Sequence, residues 1–325
     1  ETTFIGADAE VNATGVVAVG FSSEGRGLYG VSLGWNAETG VSGDYATAIG
    51  YNTNVNGLNS IAIGREANVS GDNSTVIGSL NTGSGNATIG IGNGLTMDQD
   101  SVIGIGNRAQ ADSLGAIALG HRSSVQGRNS IAIGWGTSVT ASHEVYLGNA
   151  ATANIGGIVN WTAMSDGRFK QDVEGNVPGL DFINRLRPVT YTFNTASIYE
   201  FEGREIPESI RAGLEAKDNT TQSGFIAQEV LQAAREVGYD FSGVKVPDDD
   251  SKEAYGLRYA EMVVPLVKAT QELSQQVKDQ QAIIEQQQAL LQEYQAQMSL
   301  MNARVDALED GNKPNPDPSL LSKRK

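Results

Sequence analysis

Ser60-Ile61-Ala62-Ile63-Gly64 returns as Ser130-Ile131-Ala132-Ile133-Gly134, with Ala116-Ile117-Ala118-Leu119-Gly120 close behind. Glycines preceded by an aliphatic residue extend the series through Gly6, Gly20, Gly34, Gly50, Gly64, Gly78, Gly90, Gly104, Gly120, Gly134 and Gly148, at intervals of 14, 14, 16, 14, 14, 12, 14, 16, 14 and 14. A second motif, Val-x-Gly, follows half a period later at Val41/Gly43, Val55/Gly57, Val69/Gly71 and Val125/Gly127. Each unit reads as two short strands separated by Gly and Asn turn chemistry. Strands this short bury no face alone. Stacked coils do, because each lends an inward column of Ile, Val, Ala and Leu to its neighbours. The small Ala between two aliphatics also suits close approach of a second chain. The expectation is a β-roll solenoid of about ten coils, narrow enough to need oligomerisation for its core. A helix is excluded, since each glycine would cost ~1 kcal/mol in one. The 12- and 16-residue intervals read as small loops.

The chain has 325 residues, 39 glycines and no cysteine. Its formal charge of −15 divides into about −7 before Ser165 and −8 from it onward. Such acidity repels nucleic acid and anionic membrane, so neither is a default partner. The missing cysteines exclude disulfides and thiolate sites. No apolar run approaches the ~20 residues that span a bilayer as a helix. The start at Glu1, with neither methionine nor a signal pattern, reads as a mature or recombinant start, and any surface anchor would lie outside this sequence.

The repeat resembles the head domains of trimeric autotransporter adhesins (YadA-like), whose units read like Asn59-Ser60-Ile61-Ala62-Ile63-Gly64. The resemblance covers nearly all of residues 3–150. It implies a left-handed parallel β-roll packed as a trimer, on a bacterial cell surface, an envelope fibre or a virion tail fibre. The membrane-anchoring barrel that ends such adhesins has no counterpart here, where the C-terminus reads as helical and polar.

The residue after each anchor glycine falls in one column, which holds Phe21, Trp35, Tyr51, Arg65, His121 and Trp135. Read functionally, it is a ladder that stacks on sugar rings or peptide. Read structurally, bulky residues cover the corner of each coil, and this bland reading is the expected one. His121 and His143 lie in different columns, which argues against a metal site. Asp98 and Asp100 suggest the paired carboxylates of glycoside cleavage, but they fall in an irregular segment with no matching second acid, and a solvated loop is expected.

After Trp161 the repeat stops. Met164-Ser165-Asp166-Gly167-Arg168-Phe169-Lys170 brings the first lysine of the chain. Serine needs a base to act as a nucleophile, and a desolvated lysine provides one. A five-residue offset does not place the two on one helical face, although a turn folds them together. By spacing alone, the favoured alternative is a turn capped by Ser165 or Asp166, with Lys170 as a surface charge.

Downstream motifs change that balance. Gly179-Leu180-Asp181-Phe182-Ile183, Leu186-Arg187-Pro188-Val189-Thr190-Tyr191, Gly224-Phe225-Ile226-Ala227-Gln228-Glu229-Val230 and Leu257-Arg258-Tyr259 follow in order, leading into a long helix with Leu266-Val267-Lys268-Ala269. Together they resemble the peptidase S74 family, the intramolecular chaperone domain of endosialidase tailspikes and other phage fibres. The resemblance implies a Ser–Lys dyad that cuts its own chain once, with Ser165 as nucleophile, Lys170 as general base and Met164–Ser165 as the scissile bond. Asp166 matches the family's acidic neighbour and would orient the turn. Phe169 stands where leucine is usual, and Gln228 and Glu229 are assigned structural roles. No cofactor is implied.

From Leu266 to Leu308 the apolar residues keep a heptad period. One column reads Thr270, Val277, Ile284, Leu291, Met298 and Val305; the other reads Leu266, Leu273, Gln280, Gln287, Tyr294, Met301 and Leu308. A coiled coil of about 60 Å is expected, with Pro265 in its first turn or at a kink. The organisation expected is a β-roll head over 1–155, a connector over 156–164, a small α+β chaperone domain over 165–262, a trimeric coiled coil over 263–310 and a disordered tail over 311–325. The function expected is a homotrimeric extracellular fibre or adhesin subunit that recognises a glycan or protein on a target cell. In a variant the chaperone domain stays uncut as the fibre tip. An enzyme acting on external substrate would need a clustered acid or nucleophile in the head. A membrane-released transcription factor would need a basic DNA-binding domain, which this acidic roll is not.

Overall fold

The computed structural model describes residues 1–251 and 253–311. The chain divides into two compact units. One comprises Glu1–Met164, Thr190–Ser223 and Pro247–Ala254; the other comprises Ser165–Val189, Gly224–Val246 and the chain from Tyr255 onward.

Residues 3–147 form the parallel β-roll that the repeat predicts. Eleven strands, from Thr3–Ile5 to Val145–Leu147, make one sheet, and ten two-residue strands, from Glu10–Val11 to Ser138–Val139, make the other. Each strand pairs in parallel with its counterpart one coil on. Ala48, Ala62, Val76, Gly90, Gly104, Ala118 and Ala132 therefore stand in one column.

That register corrects two sequence expectations. Gly78 pairs with Gly92, and Gly92 with Gly106, so Gly90 and Gly104 are not the anchors of their coils. The anchors are the glycines with φ in the left-handed region, 125° at Gly78, 154° at Gly92 and 138° at Gly106. There a Cβ would run into the carbonyl of the next coil's glycine, which only glycine avoids. The expected 12-residue interval and the second 16-residue interval both become 14. The remaining insertion lies between Gly34 and Gly50, as a tight turn closed by the Gly43 N–H on the Gly40 carbonyl at 2.9 Å. Val41 sits in that turn, 74% exposed. Thr39, rather than Val41, pairs with Val55 in the second sheet.

The interior also differs from expectation. In the Ile61–Ile63 strand only Ala62 is buried, and both isoleucines are half-exposed on the outer face. The same pattern recurs in Val17–Val19, Thr47–Ile49 and Ile117–Leu119. Strand alternation forces this outcome: whichever residue points in, its two neighbours point out. The thin interior accepts mostly Ala or Val and leaves the Ile and Leu side chains of the long sheet's strands outside, while Leu95, just before the Thr96–Met97 strand, is buried. One place departs from the rule in a compensated way. Met97 is fully buried in the second sheet, and glycines at 83 and 90 open the space that its side chain fills. Buried corner hydroxyls and amides reach carbonyls eleven residues on, Ser60 Oγ to Gly71 at 2.8 Å, Thr53 Oγ1 to Gly64 at 2.9 Å and Asn81 Nδ2 to Gly92 at 2.9 Å. These polar groups are thus buried without losing their hydrogen bonds. The left-handed corners fall often on asparagine, as at Asn36, Asn52, Asn59 and Asn73, the residue type that best tolerates that region after glycine.

In the second unit, α1 (Leu180–Ile183) is followed by α2 (Thr195–Phe201) and α3 (Arg211–Asp218), which belong with the roll's unit, and then by α4 (Ala227–Glu236) and α5 (Val263–Gly311). Phe182 of α1 and Val230, Ala233 and Ala234 of α4 make a core with Phe241, Val244 and Met262. Pro265 falls in the first turn of α5, where its missing N–H has no helical partner to lose. Both expected heptad columns lie exposed along α5, among them Leu273 at 52%, Ile284 at 46%, Leu291 at 59% and Met301 at 59%. Ile283 and Leu290, equally exposed, widen the apolar stripe beside Gln280 and Gln287. The tail expected over 311–325 lies outside the described residues, apart from Gly311 at the end of α5.

The corrected register makes a direct prediction. Gly106→Ala should abolish the thermal unfolding transition of the roll or lower it severely. Gly104→Ala should leave it nearly unchanged, because a Cβ there meets the Met97 sulfur at an ordinary 3.6 Å. Circular dichroism melts of the two variants check the difference.

Candidate functional site

The Ser165–Lys170 segment begins with one turn of 3-10 helix over Gly167–Phe169. Asp166 caps it, its Oδ1 accepting the Arg168 N–H at 2.9 Å. The Arg168 guanidinium closes on the same carboxylate, Nη2 to Oδ2 at 2.6 Å. That side-chain pairing, helped by the backbone N–H, holds the Asp166 carboxyl below the usual carboxylate range. The turn ends with the Lys170 N–H on the Gly167 carbonyl at 3.2 Å, and Lys170 itself is extended. This reversal returns the lysine side chain to the start of the segment. Lys170 Nζ lies 2.8 Å from Ser165 Oγ. The structure therefore brings Ser165 and Lys170 together across five residues and places Asp166 as the cap of the intervening turn. Both dyad side chains are exposed in the single chain, and Met164 is 83% exposed.

The four downstream motifs lock to one another. Arg187 closes on Glu229, with Nε to Oε2 at 3.1 Å and a second, shorter bond from Nη2 to Oε1. The Phe225 N–H donates to the Tyr259 hydroxyl at 3.1 Å, and Arg258 Nη1 donates to the Ser242 carbonyl at 2.5 Å. The Leu180 N–H donates to Glu272 Oε2 of α5 at 2.7 Å. Gly179 is required there, because a Cβ would strike the Glu272 carboxylate and the backbone of α5. Glu229 thus has the structural role expected of it.

On the roll, the expected column forms two stacks. Phe21 and Trp35 are 6.2 Å apart at 8°, Trp35 and Tyr51 4.7 Å apart at 8°, and His121 and Trp135 5.9 Å apart at 22°. Arg65 follows Tyr51 in the column and pairs with Glu66 at 3.0 Å. Sequence spacing missed a further stack in another column, Tyr29 on Tyr45 at 5.3 Å. These rings cover one another's faces, so Trp35 presents an edge, where a stacked sugar would need a face. The geometry favours corner covering over ligand stacking. Asp98 and Asp100 lie in a regular coil, just after the Thr96–Met97 strand, and not in an irregular segment. Asp100 accepts the Asn86 N–H at 2.8 Å as a corner group. A second acid does stand beside Asp98. It is Asp112, one coil on, whose carboxyl is pushed up by burial first and by Asp98 second. His143 occupies a left-handed corner in a column distinct from that of His121.

Two measurements follow. Trp35→Ala removes two stacked contacts and should lower stability by about 1–3 kcal/mol, read from a urea unfolding curve. Carboxyl NMR titration should place Asp166 below the usual carboxylate range, and Arg168→Ala should return it. The sign for stability follows from a lowered value: the turn is fully favoured above the unfolded carboxylate range and loses that contribution as pH falls through the folded value.

Two families match this chain. The YadA head domain repeat matches residues 27–53, 42–67, 56–81, 103–123 and 111–137. The chaperone of endosialidase, peptidase S74, matches residues 165–239, starting on Ser165 itself. Among solved structures, the collagen-binding domain of the Yersinia adhesin YadA is similar at 21% identity, over 44% of this chain and 78% of that one, with a TM-score of 0.31. No curated protein matches. The chain is of adhesin or fibre type, a roll of YadA head repeats followed by a chaperone-of-endosialidase segment.

Proposed function

We propose that this chain is one subunit of a homotrimeric extracellular fibre, assembled by the domain that starts at Ser165 and cut once, in cis, at Met164–Ser165. The observation that carries the trimer is apolar surface that nothing among the described residues covers. Ile77, Ile89, Ile91, Ile105 and Ile133 stand 36–40% exposed in two columns on the outer face of the long sheet. Covering each contributes on the order of 1–2 kcal/mol. Ile155 at the end of the head, Ile158, Val159 and Trp161 of the connector and the whole heptad stripe of α5 are exposed in the same way. One continuous set of partners, further copies of the same chain, accounts for all three.

Assembly starts at α5, because heptads pair locally while the roll's contacts between chains are distant in sequence. The paired helices hold three chains in register at Trp161, and the roll winds away from that point. The 2.8 Å contact between Lys170 and Ser165 supports cleavage. Lys170 then takes the Ser165 Oγ proton as the oxygen attacks the Met164 carbonyl carbon. The C–N bond breaks, the Ser165 nitrogen leaves as an amine with the returned proton, and water hydrolyses the Met164 ester on Oγ. Separation of the two pieces makes the roll kinetically persistent. The fibre's target is a glycan or protein on another cell. A second reading keeps the chain whole with the Ser165 domain as fibre tip, favoured by the exposure of Ser165 and Lys170.

Mass spectrometry separates the readings. Wild type should give fragments ending at Met164 and starting at Ser165, whereas Ser165→Ala and Lys170→Ala should stay whole. An uncut wild type, folded and assembled, supports the tip reading instead. Removing residues 165–325 should leave the roll aggregated, and a soluble, ordered roll would contradict the assembly role.

A further inference from the structure

The roll carries five arginines, and the fold treats them differently. Arg26 pairs with Glu24 and Glu38, and Arg65 pairs with Glu66. Arg108, Arg122 and Arg128 have no carboxylate partner among the described residues. Arg128 stands by itself at the corner that leads back into the long sheet. Arg108 and Arg122 stand together at the opposite corner. The Arg108 N–H bonds to the Asn93 carbonyl at 2.8 Å, and the Arg122 N–H to the Asn107 carbonyl at 2.9 Å, which places the two one coil apart in one column. Both are exposed and both hold left-handed corners, φ 54° and 55°. Coils stack about 4.8 Å apart, so two like charges lie side by side in a chain whose net charge is −15. The acids of these coils do not offset them. Asp98 and Asp112 follow the Thr96–Met97 and Gln110–Ala111 strands, at the other corner. Glu66, earlier in the same column, is taken by Arg65.

The surface beside the pair is open and polar. Rings fill the neighbouring column at Trp35 and Tyr51 and again at His121 and Trp135. Between them the column holds Ser79, Asn93 and Asn107, paired in register along three long strands. The side-chain amides of Asn93 and Asn107 have no hydrogen-bond partner among the described residues. Gly94, in the arginine column, leaves a dip, since a Cβ there would meet only Arg108 Cγ, at 3.7 Å. Past Arg122 the strip ends at Gly136, whose carbonyl Arg204 takes while its charge is paired with Glu202.

We propose that Asn93, Asn107, Arg108 and Arg122 form a binding strip for a carboxylate-bearing saccharide of the uronate class. A guanidinium fork matches a planar carboxylate with two parallel bonds. An amide donates and accepts at once, which suits the hydroxyls beside that carboxylate. A uronic acid carries both groups on one ring. The acidity of the whole chain disfavours a densely charged polyanion such as nucleic acid. Stacking is not needed, so the covered faces of the neighbouring rings do not weigh against the strip. The proposal rests on the reading that the fibre's target is a glycan or protein on another cell, and it names the chemistry of that target.

The test uses the full chain in the Ser165→Ala background and a fluorescently labelled oligogalacturonate, followed by anisotropy. The probe should bind, and its methyl ester, which keeps the hydroxyls and loses the charge, should bind at least about tenfold more weakly. Arg108→Ala with Arg122→Ala should lower affinity for the acid by at least about tenfold, with melting curve and oligomer mass at parent values. Replacing both by lysine should recover part of the loss, because the charge returns without the fork. Arg128→Ala, at the opposite corner, should bind as the parent does. An unbound probe, an ester that binds equally or a double alanine variant at parent affinity each overturns the proposal. So does an altered oligomer mass in that variant, which marks the strip as a contact between copies. Binding of a neutral glycan or a protein in place of the probe overturns the uronate assignment and keeps the target reading. Intact fibres that attach to no cell sink the target reading, whatever the probe does.

Discussion

The width of the roll's interior is the constraint on which the rest depends. A coil of two short strands leaves room between its sheets for Ala62, Ala118 or Val76, and for little more. Pleating then sends the isoleucines on either side outward. A sequence rich in Ile and Val is thus committed to an apolar outer face, and no rearrangement within one chain hides it. The same logic holds along α5, where no segment of the described chain covers the heptad stripe. Roll and helix alike expose apolar surface in the single chain, and under the proposed assembly further copies of the chain complement both.

That incompleteness explains why a chaperone is joined to the roll. Parallel coils cannot begin from a local hairpin, and every strand pair spans at least one coil of intervening chain. An unfinished roll exposes both an apolar face and an open strand edge, the combination most prone to aggregation. Under the proposed assembly, a domain that gathers the chains answers both hazards. Its own motifs serve rigidity: Arg187 with Glu229, Phe225 with Tyr259 and Leu180 with Glu272 tie distant segments to α5. The Ser165–Lys170 pair sits on a short turn held by one aspartate and one arginine.

Much of this was legible in the residues, though unevenly. The 14-residue period and the Ser-Ile-Ala-Ile-Gly unit specify the roll, because few folds repeat glycine so often with alternating aliphatics between. The period misleads at Ile89-Gly90-Ile91-Gly92, where two glycines qualify as anchor and only φ and register choose Gly92. Val41 misleads likewise, since a two-residue insertion keeps the motif and moves it off the column. Alternation alone does not say which residue faces in; the available width decides for alanine. The aromatic column was visible as a column, but whether its rings offer faces or edges depends on side-chain geometry. Ser165 and Lys170 were readable as a pair only through the motifs that follow them, since a five-residue spacing favours no contact until a turn is known.

The most direct test of the central claim, that the roll's outward isoleucines are an interface between copies, is sedimentation equilibrium of the uncut Ser165→Ala chain. The account predicts three times the 34.3 kDa chain mass across the accessible concentration range. A stable single chain with a fully formed roll would contradict it.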